Sequence, residues 1–161
     1  MDRAVASRIL FVLETVLRLV LGGVFIWASL PKLDDPAIFA SQVAAYGMLP
    51  QTFVDLVALV LPPVELLTGC MLVATKWSRE AALVMLAMLA VFVVALVQAI
   101  VRGLDISCGC FADEALDHGT PALAVALLRD LLMMAPLIWI LYRPGRYIWR
   151  KPPRDVANGD C

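Results

Sequence analysis

The 161-residue sequence predicts an all-α polytopic membrane protein: a bundle of four transmembrane helices with a short amphipathic helix in its first outer loop. Three observations carry this expectation. Hydrophobic residues make up 62% of the chain and charged residues 17%, where soluble domains carry about 25% charged residues. Four apolar stretches, about residues 9–30, 52–73, 81–101 and 121–141, each reach roughly 20 residues, enough at 1.5 Å per residue to cross a ~30 Å hydrocarbon core. Those stretches are also apolar nearly all round, whereas a soluble helix of that length keeps a polar stripe. A net charge of −1, with no basic patch interleaved with aromatics, excludes a nucleic-acid partner and leaves the lipid bilayer as the expected surrounding.

The first stretch follows Arg3 and Arg8, as a secretory signal would. It is too long for a signal-peptide core, carries Glu14 and Arg18, and ends in Leu30-Pro31-Lys32 without a small-residue cleavage site. It is therefore read as the first span. In the loop that follows, Asp35-Pro36 makes a helix start and Gly47 a stop. Phe39, Val43 and Tyr46 recur between them at helical spacing, which predicts a short helix lying on the membrane surface. Pro62-Pro63 predicts a kink within the second span. Ser78 is placed to cap the third span, and Thr120-Pro121 to open the fourth.

Charge sets the expected topology. Arg3, Arg8, Lys76, Arg79, Arg143, Arg146, Arg150, Lys151 and Arg154 fall on one side of the four spans, and only Lys32 and Arg102 on the other. Nine against two predicts cytoplasmic termini in the bacterial inner membrane, with the loops around residues 31–51 and 102–120 on the outer, oxidising side. The domain expected is residues 1–146, followed by a basic cytoplasmic tail over 147–161.

The chemistry-bearing residues fall into two groups. Cys108 and Cys110, separated by Gly109, lie in the second outer loop. Glycine accepts the tight backbone of so small a ring, and a strained disulfide is labile rather than structural. A redox-active dithiol is the leading reading, beside a soft-metal site and an incidental pair. His118 is the single histidine and is read as a loop residue, Cys70 as a small hydrophobe within its span, and Cys161 as a tail thiol. The second group is ionic. Glu14, Arg18, Glu65, Arg129 and Asp130 all fall within spans, where a central charge costs about 2.5–3.5 kcal/mol. Glu14 and Arg18, four apart, share a helix face. Arg18, Glu65 and Arg129 fall at similar depth, and two readings stay open: charges that pair to fix helix packing, or a polar pocket for a quinone head group or proton relay.

Several motifs occur in order along the chain: Arg18, Ala28-Ser29-Leu30-Pro31-Lys32-Leu33, Asp35-Pro36, Phe39, Tyr46-Gly47-Met48-Leu49-Pro50, Leu61-Pro62 with Glu65-Leu66, and Gly103 before Cys108-Gly109-Cys110-Phe111. Across residues 14–131 the sequence resembles the MauE/DoxX-like redox-associated membrane proteins. That resemblance implies a four-helix membrane bundle that supports disulfide formation or maturation of periplasmic proteins beside a thioredoxin-like partner. By the same resemblance, Cys108 and Cys110 would be the redox pair, shaped by Gly109 and Phe111, and Arg18, Lys32, Glu65 and Arg129 the family's polar positions. The family's Cys-Gly-Cys-Phe-Gly departs here to Ala112 followed by Asp113 and Glu114. The rival readings are a non-catalytic subunit or assembly factor of a larger respiratory or dehydrogenase membrane complex, and a soft-metal binding or transport protein.

Overall fold

The computed structural model describes residues 3–74, 77–104, 106 and 120–142, and all the regular structure among them is helical. Five helices follow in order: α1 (Arg3–Asp34), α2 (Pro36–Ala45), α3 (Gln51–Val73), α4 (Ser78–Val101) and α5 (Thr120–Tyr142). Four of them, all but α2, are long and apolar enough to cross a membrane. The protein is a multi-pass membrane protein. α1 packs along α3, α3 beside α4, and α4 beside α5, while α2 packs on α3. Arg102 at the end of α4 donates from Nη1 to the Tyr46 carbonyl at 3.1 Å, and Arg79 at its start donates to the Leu141 carbonyl at 3.5 Å. These two bonds define the ends of the bundle, called below the α2 end and the opposite end.

The α1–α3 contact is set by glycine. A Cβ on Gly22 would lie 2.8 Å from the Gly69 carbonyl oxygen and 2.6 Å from Val73, and one on Gly69 would lie 2.9 Å from Ile26 and 3.0 Å from the Gly22 carbonyl oxygen. Only hydrogen at both positions lets the backbones approach so closely, as small residues do where membrane helices cross. Polar side chains inside the spans return to their own helix: Thr15 Oγ1 donates to Phe11 O at 2.9 Å, Ser29 Oγ to Ile26 O at 2.7 Å, and Thr68 Oγ1 to Val64 O at 2.7 Å. Lipid offers these hydroxyls no partner, so the preceding turn supplies one. Toward the opposite end the interior is an apolar cluster that includes Leu21, Phe25, Leu72, Met85, Leu89 and Leu137. None of residues 9–20 of α1 is buried, so that part of the helix meets lipid.

The helix starts and stops follow the sequence at α2 and depart from it at α4. Asp35 Oδ1 accepts from Ala37 N at 3.1 Å and Ile38 N at 3.0 Å, Pro36 opens the helix, and Gly47 (φ 60°) closes it. The cap expected from Ser78 is absent: Trp77 holds that position without a side-chain bond, and Ser78 is buried in the first turn. α3 continues as helix through Pro62 and Pro63. α4 ends in a Schellman motif, with Gly103 N donating to Ile100 O and Leu104 N to Ala99 O, both at 3.0 Å, around Gly103 at φ 63°.

One expectation about the first outer loop is corrected. Lys32 is not in a loop; α1 runs on to Asp34 and Lys32 is buried. The short helix expected in that loop is present as α2, which buries Phe39 and packs on α3 while its other residues stay exposed or half-buried. The tail over 147–161 lies outside the described residues.

Close backbone approach makes a sharp contrast among the glycines. Gly22→Val is expected to lower stability by about 1–3 kcal/mol through overpacking, read as a fall in the thermal midpoint in detergent. Gly23→Ala, whose Cβ meets nothing within 4 Å, is expected to be neutral or to raise that midpoint slightly, because alanine favours helix.

Candidate functional site

The most deeply buried charges meet at mid-height of the bundle. Lys32 Nζ donates to both carboxylate oxygens of Glu65, at 2.9 and 2.8 Å, with about 5% of either side chain exposed. Glu65 is fourteen residues into α3, about 21 Å from its start. Lys32 Nζ also lies 5.2 Å from the centre of the Phe39 ring and 5.7 Å from that of Phe92. An ammonium group stripped of water gains from a carboxylate on one side and aromatic faces on the others. This cage folds α2 over the end of α1.

One turn of α5 completes the site. Arg129 donates from Nε and Nη2 to Asp130 Oδ1, at 3.2 and 3.1 Å. The Asp130 side chain is 3% exposed and Arg129 is at the rim, 21% exposed. Between the two ion pairs lies a cavity of about 30 Å³ walled by Val24, Phe25 and Ala28 of α1, Leu89 and Phe92 of α4, and Met133 of α5, with Lys32, Glu65, Arg129 and Asp130 as its polar lining. Two cations and two carboxylates make the lining neutral.

Of the residues singled out in the sequence, Glu65 and Arg129 are brought together at this cavity. Arg18 is not among its walls: it pairs with Glu14 one turn earlier on α1, as their spacing predicts. Fourteen residues of helix, about 21 Å, separate it from Lys32. Cys108, Cys110, His118 and Cys161 lie outside the described residues. Cys70 is exposed on α3, and no group of residues among those described is arranged to hold a metal. Periodicity alone does not join Lys32 to Glu65 or place Phe39 and Phe92 around it, since these contacts span four helices. A lone cation closing an apolar run, with an aromatic residue one turn past a proline, was the available signal.

The group at the cavity left without a partner among the described residues is an acceptor, Asp130 Oδ2.

The chain from α4 leads directly from this site to the cysteines. Leu104 and Ile106 pack with Phe92, Tyr46 and Ile100 against Leu96, Ala99, Leu123 and Ala126. Ile106 is thus in one cluster with the ring that faces Lys32.

Breaking the buried pair is expected to cost about 3–5 kcal/mol, because one charge is left uncompensated. Glu65→Gln alone should therefore lower the thermal midpoint sharply, and Lys32→Met combined with Glu65→Leu should recover most of the loss. A double variant no more stable than the single one would contradict a direct pairing.

No solved structure matches the chain. A curated relative, "Methylamine utilization protein MauE" of Paracoccus denitrificans, is 36% identical over 120 residues, 74% of this chain and 63% of the relative. The chain thus spans less than two thirds of that relative's length. The family model described as "Methylamine utilisation protein MauE" matches residues 9–143, which takes in all four spans, the Lys32–Glu65 pair and both cysteines of the second loop: the chain belongs to the MauE family.

Proposed function

We propose that this protein is a thiol–disulfide exchange protein of the bacterial inner membrane that supports maturation of periplasmic proteins through Cys108 and Cys110, with a periplasmic thioredoxin-like protein as partner. In this reading both termini are cytoplasmic and the α2 end faces the periplasm. The setting is the methylamine-utilisation system named for the relative. The observation that carries the reading is the packing of Ile106. Ile106, two residues before Cys108 in the sequence, sits in the cluster that holds Phe92, just past the capped end of α4.

Exchange needs one cysteine as thiolate. A thiolate of one protein attacks a sulfur of the other's disulfide, a mixed disulfide forms, and the attacker's second cysteine resolves it, so the attacker leaves oxidised and the attacked pair reduced. Client disulfide formation needs the partner as attacker and Cys108–Cys110 as the disulfide. Two electrons move and one disulfide replaces another, so no further oxidant is consumed in the step. The relative reduction potentials set its direction.

Cys108→Ser and Cys110→Ser, made singly, are expected to trap a mixed disulfide with the partner in one of the two cases, seen as a reducible adduct on a non-reducing gel. The double variant should lose client disulfide formation while its membrane insertion is unchanged. Normal client disulfides in the double variant would instead favour a non-catalytic assembly subunit.

A further inference from the structure

Asp130 is the buried acid that thiol exchange leaves unused. Its Oδ1 is held by Arg129, while Oδ2 has no hydrogen-bond partner among the described residues. A buried carboxylate oxygen without a donor is costly, and in folded proteins such groups are met by protein or by ordered water. The adjoining cavity of about 30 Å³ has room for two or three water molecules, each needing about 10–15 Å³. Lys32, Glu65, Arg129 and Asp130 give it its polar side.

We infer that the cavity is a hydrated proton-exchange site: a water in it donates to Asp130 Oδ2, and Asp130 takes up and releases a proton through that water. The step is balanced by water, a carboxylate and a hydronium ion giving a carboxylic acid and a water molecule. The charged groups facing Asp130 are Lys32 from α1, Glu65 from α3 and Arg129 from α5; α4 brings only apolar residues to the cavity. The inference uses neither cysteine, so it stands or falls apart from the thiol reading.

Infrared difference spectroscopy of the full chain in lipid nanodiscs tests it. Lowering the pH should produce the carbonyl band of a protonated carboxylic acid. That band should shift in heavy water, shift again in protein made with aspartate carrying carbon-13 at its side-chain carboxyl, and vanish in Asp130→Asn. The isotope measurement needs no variant, so misfolding of Asp130→Asn leaves the test intact. No band over the pH range in which the protein stays folded, or a band unmoved by labelled aspartate, would overturn the inference.

Discussion

The ion pair between Lys32 and Glu65 decides where the other elements sit. A charged group inside an apolar bundle must find its counterion, and here the counterion comes from another helix. Meeting Glu65 well inside α3 requires α1 to carry Lys32 to mid-height. α1 then ends two residues later, and the space above is left to a second, shorter helix. Phe39 of that helix covers the ammonium group, and Phe92 closes it from α4. A buried ion pair of this kind contributes little net stability over apolar residues of the same volume. Its effect is on register, because only one sliding position of α1 on α3 pairs both charges.

The glycine contact fixes the same register by other means. Gly22 and Gly69 let the two backbones touch ten residues below the ion pair, counted along α1. Dispersion and close approach act there, charge acts above, and the two agree on one alignment. Agreement between independent local preferences is what gives a sequence a single packed state.

Helix identity was legible in the sequence because it depends on local properties. Length, apolarity, the Asp35-Pro36 start and the Gly47 stop each act within a few residues, and each appears in the structure. The Glu14–Arg18 pair was legible for the same reason, being one turn apart. Partners across helices were not. Lys32 looked like a loop residue because it follows Pro31 at the end of an apolar run, although α1 continues to Asp34. Glu65 and Arg129 were recognised as in-span charges, but which charge meets which is set by helix order and tilt, which periodicity does not contain.

The separation of Lys32 from Glu65 by 33 residues also bears on how the protein is made. During synthesis the lysine enters the membrane region well before its carboxylate exists, and a cation held alone in an apolar segment is drawn toward the nearer aqueous face. α1 must therefore first insert with Lys32 at an interface and move inward only when α3 arrives. The break at Asp34 and Asp35 makes that movement feasible, since the chain beyond it is free to turn back as α2 after α1 has slid. Final assembly is thus a docking of two inserted helices, and α1 reaches its place only once the second span has been completed.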